Sequence, residues 1–414
     1  MNLCIVSSGD FYSTYGGGQV YVKNIVDEFI RQGIPLSILS LHSTFPLQSR
    51  HKEYKGVDVW ELSPNGDVES VLRNIRPDVV HAHGEKALIA TLCKKMDIRC
   101  VVTAHHGGIL CPAGTLLNSD DEICHIKADH SHCLKCYLRN IRTGLMWYPL
   151  VKHIDTNRYI QVGKKLSHHR FVPFVTPIGQ AAWSIQRKYD QWKTICDNAD
   201  IIIAPSNAIA DSMIHNGAFA DKVKVVPHGI PQPTAQPTAL SATVTIRFYY
   251  VGRICYIKGI HNLLQAFSDI VDDNIELHLI GGACGKSETQ YMLRLKKTYR
   301  HDHRIVWHGK VPSSSVEELS KNFHVLVHPA IYLEVFGLNI SEALALRKYV
   351  ISTRCGGAEM QIRDGINGTL VASNDIAQLR RAMSDYIHHP KPSPEPQYIT
   401  IEQHIKQLLE IYSH

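Results

Sequence analysis

No apolar run in the 414 residues approaches the roughly 20 that a membrane-spanning helix needs, which argues against a bilayer-spanning protein. The opening residues, Met1-Asn2-Leu3-Cys4-Ile5-Val6, lack a basic leader and read as a first β-strand that ends at Ser7-Ser8-Gly9. Without a leader, the 11 cysteines point to a reducing compartment and away from a disulfide framework. The expectation is a cytoplasmic protein that at most touches the inner face of a membrane. No glycine run has the full Gly-x-Gly-x-x-Gly spacing, so a nicotinamide cofactor is not supported. There is no internal repeat. Hydrophobic content of 44% and charged content of 20% are ordinary for a globular chain.

The length favours more than one domain. Leu3–Val6, the loop Tyr15-Gly16-Gly17-Gly18 and a helical pattern through Val22, Ile25, Val26, Phe29 and Ile30 open the chain. Apolar strands follow at Leu36–Leu41, Val57–Leu62, Val79–His83, Cys100–Thr103 and Ile201–Ile203, with a helix around Val68–Ile75. This rhythm predicts parallel strands with crossover helices, an α/β doubly wound sheet. Between Val226 and Thr243 the texture changes to Pro227, Pro231, Pro233 and Pro237 among small polar residues, as in a hinge. A second α/β rhythm starts at Arg247-Phe248-Tyr249-Tyr250-Val251-Gly252. The expected domains are 1–228, with a cysteine-rich insertion at about 107–140, and 244–395 after a hinge at 229–243. A C-terminal helical segment, 396–414, would pack back on the first domain, and a ligand cleft is expected between the two.

The stretch Val325 to Leu370 carries the most chemistry. An apolar strand, Val325-Leu326-Val327, runs into His328-Pro329, a loop with Glu334, then Phe336-Gly337-Leu338 and a helical pattern containing Glu342. Strand, glycine-bearing loop and helix form the unit whose ligand crevice lies at the strand's carboxyl end. Free helix N-terminal amides there can hold a phosphate. Carboxylates would repel that phosphate but accept hydrogen bonds from sugar hydroxyls, so the site suits a molecule that is part phosphate and part sugar. The plain alternatives are that Glu334 is a solvated loop carboxylate and that Asn339-x-x-Glu342 is a capping box.

Gly252-Arg253 and Lys258-Gly259 lie where the second domain's first strand ends, a position that suits two cations facing a diphosphate. Gly16-Gly17-Gly18 permits close backbone approach to a ligand. Thr103-Ala104-His105-His106 ends another strand, and His105 is singled out by that position rather than by being one of 25 histidines.

Taken together these motifs resemble the retaining glycosyltransferases of family 4 (glycosyl transferases group 1), which have the GT-B fold of two Rossmann-like domains. The resemblance rests on Gly252-Arg253…Lys258-Gly259, Leu279-Ile280-Gly281-Gly282, Glu334-x-Phe336-Gly337-Leu338…Glu342-Ala343, Gly356-Gly357-x-Glu359 and Asp364-Gly365…Gly368. In the first domain Gly16-Gly17-Gly18, Asp78-Val79-Val80-His81-Ala82-His83, Ala204-Pro205-Ser206 and Pro227-His228-Gly229 also match. The chain departs from the pattern at Leu346-Arg347-Lys348-Tyr349, where the family usually has Gly and Pro, and at His228-Gly229-Ile230-Pro231.

The resemblance implies transfer of a sugar from a nucleotide diphosphate sugar to a hydroxyl of a glycan or lipid-linked acceptor, with retention of configuration and no metal required for catalysis. It implies that Arg253 and Lys258 bind the diphosphate, with Gly17 and Gly18 on the donor side. Glu342 would hold the ribose, and Glu334 with the amides of Phe336, Gly337 and Leu338 the donor sugar. His105 would stand near the reacting sugar, so the expected catalytic residues are His105 and Glu334. Surface polysaccharide or lipopolysaccharide assembly is the expected setting. The competing readings are a nucleotide-sugar epimerase of the same fold and a non-catalytic relative.

Two further features stand apart. Cys111, Cys124, Cys133 and Cys136 fall in the insertion, and Cys133-x-x-Cys136 is a chelating spacing, so a structural zinc is expected there, with an iron–sulfur cluster as the alternative. From Arg139 to Lys193 there are ten Lys/Arg against two Asp/Glu, interleaved with Trp147, Tyr148, Tyr159, Trp183 and Trp192. Such a segment suits peripheral contact with an anionic lipid surface. Nucleic acid is not an expected partner, because the segment lies inside an enzyme-like domain.

Overall fold

The computed structural model describes residues 1–9, 16–41, 49–63, 66–139, 146, 149, 155–167, 177–234, 245–392 and 394–413. Trp147, Tyr148 and much of the basic segment, together with 235–243 of the expected hinge, lie outside them. The chain divides into two compact units. One comprises Met1–Asp120, Cys124–Pro227 and His404–His414, the other Asp121–Ile123 and His228–Gln403.

The first unit is built on strands β1 (Leu3–Ser8), β2 (Leu36–Leu41), β3 (Arg50–Tyr54), β4 (Val57–Leu62), β5 (Val79–Ala82), β6 (Arg99–Thr103), β7 (Ile201–Ala204) and β8 (Val223–Val225). They form one sheet in the order β3-β4-β2-β1-β5-β6-β7-β8. Leu3–Val6 and Val79–Ala82 are buried throughout, as central parallel strands require because helices cover both faces. One departure from the parallel expectation is β3, which pairs antiparallel with β4. Its sequence Arg-His-Lys-Glu-Tyr has no apolar alternation, and its largely exposed, charged surface suits a sheet edge. Helices α1 (Gly17–Arg31), α2 (Val68–Ile75), α3 (Lys86–Met96), α4 (His130–Arg139), α5 (Thr156–Ser167), α6 (Pro177–Asn198) and α7 (Asn207–His215) complete the described part.

The second unit has strands β9 (Ile246–Val251), β10 (Ile275–Ile280), β11 (Ile305–Gly309), β12 (Val325–His328), β13 (Tyr349–Thr353) and β14 (Gly368–Val371) in the order β11-β10-β9-β12-β13-β14. All neighbouring pairs are parallel. Its helices are α8 (Ile260–Ser268), α9 (Gly285–Thr298), α10 (Ser313–Ser320), α11 (Leu338–Ala345) and α12 (Ile376–His388). Phe248, Tyr250, Leu277, Leu279, Val325, Val327 and Ile351 from the strands pack with Leu263, Leu264, Phe267, Leu379 and Met383 from the helices. After α11, Arg347 takes a left-handed backbone (φ 58) at the turn where the resemblance expects glycine. The strain of about 1 kcal/mol that this implies is offset by Arg347 Nε and Nη2 donating to the Pro394 carbonyl and the Glu395 carboxylate at 3.2 and 2.7 Å.

Strand order reverses at β1/β5 in the first sheet and at β9/β12 in the second. Each chain crossing leaves a crevice beyond the carboxyl ends of those strands. That is where Gly17, Gly18, His83 and His105 fall in the first unit, and Arg253, Lys258 and Glu334 in the second.

The last helix, α13 (Ile401–Ser413), contributes its residues from His404 onward to the first unit. Ile405 and Leu408 are fully buried, worth about 1.5–3 kcal/mol each. The Tyr412 hydroxyl meets Nδ1 of His81 at 2.6 Å and the Tyr21 hydroxyl meets Nε2 of His404 at 2.8 Å. His81 Nε2 in turn lies 2.7 Å from the Thr103 hydroxyl, so both of its ring nitrogens are satisfied inside the sheet. Burial, with His404 and Lys86 adding to it, pushes the His81 imidazole down to about 3 and keeps it neutral. Tyr412→Phe strands a buried His81 nitrogen, costing about 1–3 kcal/mol. We expect its thermal midpoint to fall by several degrees, and an unchanged melting curve would show that the pair contributes nothing.

Candidate active site

Glu334 and Lys258 are the pair around which the second unit's site is organised. Residues 329–337 leave β12, and the segment 252–259 leaves β9, its neighbour in the sheet. The two loops touch because Gly259 has no side chain. A Cβ there would sit 1.9 Å from the Pro329 carbonyl oxygen, and its φ of +67 is one that few other residues adopt. That approach brings the Lys258 ammonium against a Glu334 carboxylate oxygen, with both side chains largely buried. The ammonium also lies 5.1 Å from the centre of the Tyr332 ring, a cation–π contact.

His328, at the end of β12, places Nε2 3.6 Å from the same carboxylate oxygen. Burial by itself would raise the Glu334 carboxyl, but Lys258 and His328 overcome it and hold the group well below the usual carboxylate range. Lys258 is conversely held above the ordinary lysine value, its burial outweighed by Glu334. The site therefore contains a fixed carboxylate and a fixed ammonium at neutral pH.

The Glu334 backbone is braced as firmly as its side chain. Its amide donates to the Cys355 carbonyl at 2.8 Å, and its carbonyl accepts from Gly357 N at 3.0 Å. Gln361 Nε2 donates to the Phe336 carbonyl at 2.6 Å while its Oε1 accepts from the Ser341 hydroxyl, also at 2.6 Å. Glu359 accepts from the Gly356 amide at 3.0 Å. The Gly356-Gly357-x-Glu359 motif is thus a structural brace for the Glu334 loop.

Helix α11 starts directly after this loop. Gly337 takes the position before its first turn with φ 87, and no side chain caps it. Asn339 therefore lies inside the helix and cannot cap it, which corrects the capping-box reading of Asn339 and Glu342. Its side-chain amide donates to the Val251 carbonyl at 3.0 Å and meets Nδ1 of His328 at 3.1 Å, tying the ends of β9 and β12 together. Glu342 is left one turn inside the helix. Burial, and then the neighbouring Glu317, push its carboxyl up to about 7. Arg253 is half-exposed and pairs with Glu288 at 3.5 Å, so it does not share the Lys258–Glu334 contact.

In the first unit, Gly17 and Gly18 form the start of α1, which also has no side-chain cap at Gly16. A Cβ on Gly18 would lie 3.4 Å from Cβ and Cγ of His105, so the bare helix start lies against that imidazole. His105 Nε2 in turn lies 2.8 Å from His83 Nδ1. Sequence reasoning assigned His328, Asn339 and His83 no role in the site, although each lies within a residue or two of a strand or helix end; Tyr332, four residues beyond β12, carried no such signal.

Cys111, Cys124, Cys133 and Cys136 lie in the first unit within electrostatic reach of one another. Burial, then Cys111, Cys136 and Cys124, push the Cys133 thiol up to about 12. Burial also raises Cys124 and Cys136, although the Ile126 and Ser119 amides, respectively, pull them the other way. Among the described residues no three His, Cys, Asp or Glu side chains are grouped so as to hold a metal ion. The thiols are neighbours here without forming a closed coordination shell. No helix of the described residues is long and apolar enough to cross a membrane.

Comparison with known proteins accounts for both units. Residues 237–402 match the family model "Glycosyl transferases group 1", and residues 15–133 match "Glycosyltransferase Family 4". The chain belongs to the family 4 glycosyltransferases, and is an enzyme of the transferase class with the GT-B fold. It is 26% identical over 380 residues to a D-inositol 3-phosphate glycosyltransferase of Corynebacterium diphtheriae, covering 87% of this chain and 79% of that one. A second such enzyme, from Corynebacterium efficiens, matches at 27% over 206 residues, 44% of this chain and 47% of its own. Among solved structures, sucrose-phosphate synthase from Thermosynechococcus elongatus aligns with TM-score 0.70 at 16% identity over 100% of this chain and 98% of that one. Anabaena HepE, solved with UDP and glucose, aligns with TM-score 0.67 at 15% identity over 99% of each chain.

The Glu342 environment has a consequence for stability. Its folded value, about 7, lies above the ordinary 4.5. The folded state therefore holds this proton more tightly than the unfolded state does. The associated stability is present below pH 4.5 and is lost as pH rises through about 7. Glu342→Gln, which cannot ionise, should gain up to about 3 kcal/mol over the parent at pH 8 and lose that advantage by pH 4. Parallel Tm–pH curves for the two proteins would contradict this.

Proposed function

We propose that this enzyme transfers a sugar, with retention of anomeric configuration, from a nucleotide diphosphate sugar to a hydroxyl of a glycan or lipid-linked acceptor in cell-surface polysaccharide or lipopolysaccharide assembly. The observation that carries the reading is the Lys258–Glu334 pair beside the uncapped start of α11. It combines a cation and free amide dipoles for a diphosphate with a permanently ionised carboxylate for sugar hydroxyls. The Anabaena relative of the same fold was solved with UDP and glucose, which makes a uridine donor the first to test. The inositol-phosphate enzymes among the relatives act, as their name states, on a phosphorylated hydroxyl compound.

In this reading Lys258 and Arg253 bind the diphosphate together with the amides of Gly337 and Leu338, and Gly17 and Gly18 approach it with bare backbone. Glu342 accepts from ribose hydroxyls. Glu334 and the Phe336–Leu338 backbone orient the donor sugar, and His105 meets the reacting sugar. The bond from the anomeric carbon to the diphosphate oxygen breaks as the bond to the acceptor oxygen forms on the same face. The acceptor's proton passes to the departing phosphate oxygen. Lys258 and the helix amides stabilise the charge that grows on that oxygen, so the chemistry needs no general base at the anomeric carbon. The basic, aromatic segment 139–193 supplies peripheral contact with a membrane that holds the acceptor.

Calorimetric titration with UDP, GDP and ADP tests the donor site; we expect one to bind and Lys258→Met to weaken it at least tenfold. Glu334→Ala should lower turnover about a hundredfold or more. No binding by any of the three removes the reading, and an inverted anomeric configuration in the product removes retention alone.

We further propose that Cys111, Cys124, Cys133 and Cys136 hold a structural zinc. Four thiols of one segment, three of them with a backbone amide beside the sulfur, are a donor set suited to that ion. Elemental analysis of purified protein should find about one zinc per chain, lost in Cys133→Ser/Cys136→Ser. Metal-free protein that is stable and active would overturn it, and bound iron with a brown colour would replace zinc by an iron–sulfur cluster.

A further inference from the structure

The roles above use one member of a histidine array that the first unit assembles from three directions. Parallel pairing sets Ala82 of β5 beside Val102 of β6, so the residues just beyond the two strand ends meet at one level. These are His83 and His105. His83 is buried, with 5% of its surface exposed. Its Nδ1 stands 2.8 Å from Nε2 of His105, and the ring centres are 5.0 Å apart at an interplanar angle of 37°.

The surroundings fix both rings. His81 packs against His83 with centres 4.1 Å apart, and is itself held by Tyr412 and Thr103. The Tyr21 ring lies 5.7 Å from His83 and 5.2 Å from His105, and its hydroxyl is engaged by His404. A Cβ on Gly18 would stand 3.4 Å from His105 Cβ and Cγ, so the start of α1 also lies beside that residue. The titratable groups around the pair are thus His81 from β5, Tyr21 from α1, His404 and Tyr412 from α13, the adjacent His106, and Lys86. The last donates from its ammonium to the His83 carbonyl at 2.5 Å. Burial, with Lys86 and Lys188 contributing, pushes His106 down to about 4, while burial and His81's neighbours keep that ring neutral too.

Two imidazole nitrogens at this separation share a single hydrogen: one donates and the other accepts. Whichever way it runs, the protonation of His105 Nε2 is set by His83, and with it which nitrogen of a neutral His105 carries its proton.

We propose that His83 is a positioning residue for catalysis, whose Nδ1 contact fixes the ring angle and the tautomer of His105. The inference rests on the proposed role of His105 at the reacting sugar. Ring packing by itself would be preserved by a phenyl ring, whereas tautomer control requires the nitrogen, and that difference separates a structural role from a positioning one.

The test uses the full chain with UDP-, GDP- and ADP-glucose as probes, reading released nucleoside diphosphate, together with histidine 15N spectra of the ligand-free protein. His83→Phe keeps ring volume without the nitrogen, and His83→Asn keeps an N–H near the Nδ1 position. In the spectra, His105 should show one tautomer in the parent and a mixture in His83→Phe. Turnover of His83→Phe should fall about tenfold or more, with KM for the donor within about threefold and a displaced pH–kcat profile. His83→Asn should recover most of the loss. His83→Phe combined with His105→Ala should be no slower than His105→Ala alone, because the partner being positioned is gone.

If His83→Phe leaves the His105 spectrum and kcat unchanged while His105→Ala is impaired, the positioning role is wrong and the role of His105 stands. Unimpaired His105→Ala overturns both. An additive double variant overturns the proposal as well, since His83 would then act by another route.

Discussion

The second unit depends on one electrostatic arrangement: a buried carboxylate kept ionised by a buried ammonium. Taking either charge out of water alone costs several kcal/mol, and removing one partner leaves that penalty uncompensated. The fold meets the requirement by bringing two loops into contact at Gly259 and by fixing the Glu334 backbone between Cys355 and Gly357. His328, Tyr332 and Asn339 then surround the pair. Residues that look scattered along the chain share one task, which is to hold Glu334 charged and still. A carboxylate fixed in this way can orient hydroxyl groups without first reorganising, which is the property an enzyme needs from it.

Both units use the same topological device. Each sheet has a switch of strand order, at β1/β5 and at β9/β12, and each switch opens a crevice at strand carboxyl ends beside an uncapped helix start, α1 in one case and α11 in the other. The polar chemistry differs. In the second unit it is a charged pair, with a raised carboxyl, Glu342, on the helix that follows. In the first it is a histidine array, with His81 kept neutral by burial and pinned from behind by α13. Charge suits the binding of an anion, whereas an imidazole can donate or accept a hydrogen bond depending on its tautomer.

Much of this was legible from the chain. The alternation of apolar strands with helical periodicity marked both α/β units, and the motifs from Gly252 to Gly368 carried the family resemblance that the family matches bear out. Other features were not legible. The edge strand Arg50–Tyr54 has no apolar alternation to announce it, because an exposed edge strand has no face to bury. Asn339 and Glu342 have capping-box spacing, yet the helix begins two residues earlier than that reading needs, since a left-handed Gly337 starts it. Arg347 occupies a turn conformation usually left to glycine, and only its contacts with Pro394 and Glu395 explain how.

The amino-acid sequence by itself determined the class of fold, the order of the elements and the residue types available at each strand end. These follow from periodicity and from glycine placement, which are local properties of the chain. Tertiary structure decided which of those residues act together. Lys258 and Glu334 are far apart in sequence, as are His83 and His105, and their contacts exist only because parallel strands bring distant carboxyl ends to one level. It also decided their protonation, because burial and neighbouring charge set whether a carboxyl such as Glu342 ionises near neutrality while Glu334 is never protonated there. Spacing along a chain carries no information about desolvation, and desolvation separates these two glutamates.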